Sequence, residues 1–378
     1  MIIGVPSESA TGERRVGLVP ESVVKLKGAE VHVQTGAGEN AGILDSDYAG
    51  VGAVVEKDSK SLFAAADLVV KVQPLTPGEA ECLKTGASVV SFLYPLGNLE
   101  TVRRLVEREG TAFAMELMPR ISRAQSMDAL SSQSLVAGYK AVLIAAETLP
   151  KLFPMLMTAA GTIAPARVFV LGAGVAGLEA IATARRLGAV VEAYDVRPVV
   201  KEQIESLGAK FVELPIEAKD AQTAGGYAKA QSEDFYRRQQ ELLASHAHQS
   251  DVVVTTALIP GSRAPLLLTE DAVKGMRPGS VIVDLAAEQG GNCALTEAGK
   301  TAVKYGVTIH GPLNLPSSMA PQASQLYSRN VTSFVTPMLK DGALKVDLND
   351  DLVKGTMVVQ AGKVVHEATR KALESAHP

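Results

Sequence analysis

An α/β architecture of two domains, each on a parallel sheet, is predicted by three observations. Short apolar runs alternate with helix-period segments through most of the 378 residues. One polar stretch, Pro119–Ser134, breaks that alternation. A glycine-rich turn joins a strand pattern to a helix pattern where it resumes. A chain of this length fits two domains at roughly 150 residues each.

In the first series, Ile2–Val5, Glu30–Gln34, Leu68–Val72, Ser88–Phe92 and Thr111–Glu116 read as strands. Glu21–Lys27, Ser59–Ala66 and Leu99–Glu109 read as the helices between them. After the polar break, Leu135–Pro150 reads as a long helix. The second series then runs through Arg167–Leu171, Val190–Tyr194, Lys210–Leu214, Asp251–Thr256, Ser280–Asp284 and Val307–His310. The tail carries a helix pattern at Ser324–Lys340, a polar strip at Val346–Asp351 and a last helix at Val364–Ala376. The expected domains are 1–136 plus a returning segment 321–378, and 137–320. Long helices join them, with a cleft between.

Composition sets limits on function. The chain is 47% hydrophobic and 4% aromatic, without tryptophan, so its core is aliphatic. A net charge of −4 argues against nucleic-acid binding. Cys82 and Cys293 form no framework or CxxC pair, which points to a reducing compartment. The start, Met1-Ile-Ile-Gly-Val-Pro6, has no signal-peptide pattern. The most apolar stretch, Leu152–Ala166, is too short to span a bilayer and holds Pro154, Gly161 and Pro165. A soluble protein is expected. His246 and His248 lie in a polar stretch and the other histidines are scattered, so no metal site is expected.

The strand pattern Arg167–Leu171 runs directly into Gly172-Ala-Gly-Val-Ala-Gly177, a GxGxxG sequence, and then into a helix pattern ending near Gly188. The next strand, Val190–Tyr194, ends at Asp195, 23 residues after Gly172. Gly172 allows the tight turn, Gly174 lets the backbone approach a pyrophosphate, and Gly177 lets the helix pack on the sheet. The helix start, with Val175 and Ala176, offers N–H groups and partial positive charge to an anion. Asp195 can accept from a ribose diol and would repel a 2′-phosphate. The domain is therefore Rossmann-like and its predicted cofactor is NAD(H), with Val196 and Arg197 beside the ribose or adenine. Gly36-Ala-Gly-Glu-Asn-Ala-Gly42 has the wrong spacing and reads as a turn.

Arg120, Gln125, Asp128 and Ser131 fall in the polar break. From composition alone they make a solvated connector with an ion pair. That stretch, however, resembles the nicotinamide-holding loop of the NAD(H)-binding domain I of proton-translocating nicotinamide nucleotide transhydrogenase. So do Arg14-Arg-Val-Gly-Leu-Val-Pro20, Met157-Thr-Ala-Ala-Gly-Thr162, Gly225-Gly-Tyr-Ala-Lys229, Thr255-Thr-Ala-Leu-Ile-Pro-Gly261 and Gly311-Pro-Leu-Asn-Leu-Pro316. The resemblance covers essentially the whole chain.

It implies Re/Si-specific hydride transfer from NADH to NADP⁺, the NADP(H) being held by a separate domain III subunit. A membrane subunit, domain II, couples this to proton translocation. It also implies a homodimer, soluble on the cytoplasmic side and held at the inner membrane by its partners. Arg120, Gln125 and Asp128 become catalytic by positioning, and with Ser131 they hold the nicotinamide end. This is chemically coherent. Transfer between two nicotinamides needs proximity and orientation rather than a general acid or base.

The connection from Pro215 to Ser250, 36 residues, is long enough to expect a function or disorder. Its second half, Gln231–His246, has helical character. The resemblance makes the connection a lid over NAD(H), with Gly226 as a hinge and Tyr227 on the nucleotide. It adds Gln239 and Leu258 as nucleotide contacts.

Alanine dehydrogenase is a rival reading. It looks homologous and uses a lysine, a histidine and an aspartate on its keto acid. At the matching positions this chain has Gln73, Tyr94 and Glu288, with Arg15 retained, which speaks against amino-acid oxidation. A non-catalytic NAD-binding module is the other alternative, and a partner subunit would distinguish it.

Overall fold

The computed structural model describes residues 1–214, 232–258 and 263–375. The chain divides into two compact units, Met1–Gln133 with Pro316–Pro378, and Ser134–Leu315.

The first unit begins with six strands, β1 (Ile2–Val5), β2 (Glu30–Gln34), β3 (Val54–Glu56), β4 (Leu68–Val70), β5 (Ser88–Ser91) and β6 (Thr111–Ala114). Between them lie α1 (Pro20–Val23), α2 (Asp45–Gly50), α3 (Ser59–Ala65), α4 (Pro77–Glu81) and α5 (Leu99–Glu107). Helix α1 is shorter than Glu21–Lys27, because Lys25 and Leu26 close three-residue turns onto Ser22 and Val23 instead of continuing the helix. β3, α2 and α4 lack a sequence signal, being three to six residues long with little periodicity.

Helix α6 spans Ala129–Thr148 and starts six residues before the expected Leu135. Its polar first turns are helical because Asp128 caps them, Oδ1 accepting the Ser131 N–H at 2.9 Å. The unit boundary falls within this helix, between Gln133 and Ser134. Among the described residues, α6 is a helix long and apolar enough to cross a membrane. Its Ala141, Val142 and Ala145 are buried in a core of the second unit.

In place of a plain apolar stretch, Leu152–Ala166 holds a hairpin, β7 (Leu156–Thr158) and β8 (Gly161–Ile163). Then come β9 (Arg167–Leu171), α7 (Val175–Arg186), β10 (Val190–Tyr194), α8 (Lys201–Ser206) and β11 (Lys210–Phe211). α9 (Glu233–Ala247) follows, in the expected helical half of the long connection. β12 (Val252–Thr255), α10 (Glu270–Lys274), β13 (Val281–Asp284), β14 (Thr301–Lys304) and β15 (Val307–His310) complete the second sheet, ordered β11-β10-β9-β12-β13-β15-β14. All its pairings are parallel except β14 with β15. Alternate residues enter different cores. Val168, Val170, Val252 and Val254 face one, while Phe169, Leu171 and Val253 face the other. That explains why these strands read as unbroken apolar runs.

The remaining residues return to the first unit. α11 covers Ala320–Val335 and stops short of Lys340, because Pro337 forces a tight turn at Thr336–Met338. A small ribbon, β16 (Leu339–Lys340) and β17 (Ala343–Leu344), is followed by α12 (Asp351–Thr356), β18 (Met357–Gln360), β19 (Lys363–Val364) and α13 (Glu367–Ser375). Val364 is thus a strand residue, not the start of the last helix. The first sheet is ordered β19-β18-β6-β5-β4-β1-β2-β3, parallel from β3 to β6, with β18 and β19 antiparallel at its edge. In both sheets the first strand of the series lies between the second and the fourth, so the winding reverses there. Ligand crevices form at such reversals, beyond the carboxyl ends of the strands.

Candidate functional site

The reversal in the second sheet lies between β9 and β12, and the glycine loop sits on it. Gly172 has φ +96°, and a Cβ there would come within 2.6 Å of Thr256 Oγ1. A Cβ on Gly177 would lie 1.8 Å from the Gly172 carbonyl oxygen. Only glycine permits this contact between helix and loop. Gly174 differs, since nothing lies within 4 Å of its Cβ position. It is the N-cap of α7 and offers no side chain to the first-turn N–H groups. Val175 is exposed and Ala176 half-buried beside it. Open space in front of an uncapped helix start fits a pyrophosphate.

Asp195 follows β10 and is 8% exposed. Its Oδ2 accepts the Ala173 N–H at 2.7 Å, which ties the carboxylate to the glycine loop. Its Oδ1 accepts the Arg197 N–H at 2.8 Å, and the Arg197 guanidinium lies across both oxygens. Val196 is half-buried between them. Gln239, from α9, is buried and donates to the Tyr194 hydroxyl at 2.9 Å. Burial pushes that phenol up to about 12, so it is a neutral strut behind Asp195. Leu258 is exposed, two residues after Thr256. Gly226 and Tyr227 lie outside the described residues.

Three residues that sequence reasoning missed hold this edge together. Thr256 Oγ1 donates to the Gly172 carbonyl at 3.1 Å. Asn292 accepts the Ala257 N–H at 3.0 Å and donates to the Ala257 and Pro265 carbonyls. Asp284, fully buried, accepts the Asn292 and Cys293 N–H groups and the Thr255 and Thr296 hydroxyls. The available signal was the acid ending β13, which echoes Asp195 at the end of β10.

Arg120, Gln125, Asp128 and Ser131 belong to the first unit, the glycine loop to the second. Arg120 and Gln125 are exposed. Asp128 and Ser131 bond each other, the Ser131 hydroxyl donating at 2.6 Å. The loop is braced by Arg123, which pairs with both oxygens of Asp350 at 2.8 Å, and by Asn330, which donates to the Ser126 carbonyl.

In the first unit the corresponding sheet edge is filled by internal ion pairs. Arg15 donates to Glu13 at 2.8 and 2.6 Å and to Gln133 at 2.8 Å. Gln73 also donates to Glu13, and Lys71 pairs with Glu79 at 2.9 Å. Burial would raise the Glu13 carboxyl, but the hydrogen bonds and charge of Arg15 outweigh it and hold the group at about 2. Glu8 is buried enough to be raised to about 7 despite Lys71 and two backbone donors. Tyr94 has φ +41°, its backbone N–H donating to Glu116. Glu288, in the second unit, accepts the Asn314 N–H.

The family model described as alanine dehydrogenase/PNT, N-terminal domain, matches residues 4–137, and the corresponding C-terminal model matches residues 141–367. An alpha-subunit chain of the NAD(P) transhydrogenase of Rhodospirillum rubrum is 51% identical, covering 97% of this chain and 98% of its own. The crystal structure of transhydrogenase from Sinorhizobium meliloti is 45% identical with a TM-score of 0.87, covering 97% of this chain and 100% of its own. An L-alanine dehydrogenase structure is 28% identical with a TM-score of 0.83, covering 99% of both. With both family models in sequence order and a related fold over nearly its whole length, the chain belongs to the alanine dehydrogenase/PNT family.

Proposed function

We propose that this protein binds NAD(H) at the glycine loop of its second unit. We further propose that it exchanges hydride with NADP(H) held by a separate subunit of a proton-translocating, Re/Si-specific transhydrogenase. The observation that carries the binding site is the tie between Asp195 and the Ala173 N–H. It fixes a ribose acceptor against a helix start suited to a pyrophosphate. When bound, NAD(H) supplies the hydride at its nicotinamide.

The chain's own work is to bind and orient. The Gly174–Gly177 backbone receives the phosphates and Asp195 the ribose. Arg120, Gln125, Asp128 and Ser131 orient the nicotinamide end, with Arg123–Asp350 bracing their loop. Gln239 and Leu258 line the nucleotide. The transhydrogenase name of the half-identical relative supports this assignment over the alanine dehydrogenase reading. So do Gln73, Tyr94 and Glu288, which leave the family's second activity without its lysine, histidine and aspartate.

The assembly includes a membrane subunit and the NADP(H)-binding subunit, and the chain sits on the cytoplasmic side of the inner membrane through them. A homodimer fits the β7–β8 hairpin, whose Met157 is 79% exposed beside exposed Leu156 and Ile163. The test is to mix the protein with an isolated NADP(H)-binding subunit and follow exchange between the nucleotides. Exchange is expected. Its absence, together with NADH-dependent reductive amination of pyruvate, would overturn the proposal.

A further inference from the structure

Asp195, the proposed ribose acceptor, is already occupied by the chain itself. A carboxylate offers about four acceptor positions on its two oxygens. Oδ1 takes the Arg197 N–H at 2.8 Å and Arg197 Nε at 2.8 Å. Oδ2 takes the Ala173 N–H at 2.7 Å and Arg197 Nη2 at 2.8 Å. Four donors therefore fill it, and the side chains are only 6% and 17% exposed.

A ribose diol needs two of these positions. The two backbone donors cannot leave without remaking the glycine loop or the turn after β10. The two guanidinium donors can leave by side-chain rotation. We propose that Arg197 is a displaceable latch, which holds Asp195 where the ribose diol must bind and thereby sets the preference between NADH and NADPH. This rests on Asp195 being the ribose acceptor.

The latch changes the account of specificity. While Arg197 is in place the pair is nearly neutral, so the charge of Asp195 is muted toward a 2′-phosphate. NADH brings two hydroxyl donors that replace the guanidinium donors one for one. NADPH keeps only one hydroxyl at that ribose and cannot. The apparent affinity for NADH is reduced by the fraction of protein that is latched. Removing Arg197 should therefore tighten NADH while baring a negative charge to NADPH.

Wild type, Arg197→Ala and Arg197→Lys are to be titrated with NADH by its fluorescence and with both nucleotides by calorimetry. The alanine variant is expected to bind NADH about threefold tighter or better and NADPH more weakly, widening the ratio about tenfold. Lysine, lacking the two-pronged geometry, should fall between. Weaker NADH binding by Arg197→Ala, or an unchanged ratio, overturns the latch. If the alanine variant does not fold, the ¹⁵Nε–¹H signal of Arg197 in wild type decides. It should shift on adding NADH, and a signal that stays put overturns the proposal. Asp195→Asn separates the premise. If it leaves NADH binding of wild type unchanged, the ribose assignment fails, whatever Arg197 does.

Discussion

Gly174→Ala separates the binding role of the glycine loop from its folding role. The residue has φ −76° and ψ −168°, a conformation open to alanine, and its Cβ position meets nothing within 4 Å. The substitution should therefore leave the fold intact and add about 0.4–1 kcal/mol of stability by restricting the unfolded chain. The added methyl would occupy the space in front of the α7 start. A pyrophosphate pushed away from those N–H groups would lose charged hydrogen bonds of about 1.5–3 kcal/mol, weakening NADH by roughly ten- to a hundredfold. Gly177→Ala is the counterpart. Its Cβ would lie 1.8 Å from the Gly172 oxygen, so helix and loop must separate, at a cost of about 3 kcal/mol or more. Denaturant unfolding and NADH fluorescence titration read the two effects apart. A Gly174→Ala protein that binds NADH like wild type would refute the placement of the phosphates. One that loses stability would refute the open space.

Asp195→Ala should weaken NADH by about 1.5–3 kcal/mol in calorimetry, and a wild type that binds NADPH equally well would contradict its assigned role. Arg120→Ala should slow nucleotide exchange more than it weakens binding, since positioning is what is lost, and an unchanged single-turnover rate would rule this out. Glu13 is held at about 2 against an ordinary 4.5, so its contribution is complete above pH ~4.5 and is lost as pH falls through ~2. That contribution is about 3 kcal/mol. Hydrogen exchange at the Val16 N–H, which donates to Ser324 Oγ, reports it locally. The stability gap between wild type and Glu13→Gln should close between pH 5 and 2, and a pH-independent gap would exclude the pairing. Glu8 has the opposite sign, because burial raises it to about 7. Its contribution is present below pH ~4.5 and is lost as pH rises through ~7, which Glu8→Gln should flatten in unfolding curves.

The central parallel strands are legible in sequence because both their faces are buried, so Arg167–Leu171 and Val252–Thr255 read as apolar runs without knowledge of their neighbours. The turn at Gly172 is legible for a local reason, since backbone shape limits the residue type. Elements fixed by distant partners are not legible. The first turns of α6 look like loop until Gln133 is seen to donate to the Ala323 carbonyl and accept from Arg15. β18 gives little signal because it joins β6 from more than two hundred residues away. The same holds for the site. Asp195 is announced by its distance from Gly172, but its bond to Arg197 needs side-chain geometry. Asn292 ties its own connection after β13 to Ala257 and Pro265 in the connection after β12, a pairing that no spacing rule announces.

The interrupted first unit has a consequence for biosynthesis. Phe334 lies edge-on to Phe113, the Tyr327 hydroxyl donates to the Lys71 carbonyl, and Ser324 and Ser328 accept the Val16 and Val19 N–H groups. All four of these late residues leave the ribosome after the second unit, which is continuous from Ser134 to Leu315. The second sheet can close during translation, while β1–β6 wait with the β6 edge uncovered. Until β18 emerges, that edge is open to pairing with other chains.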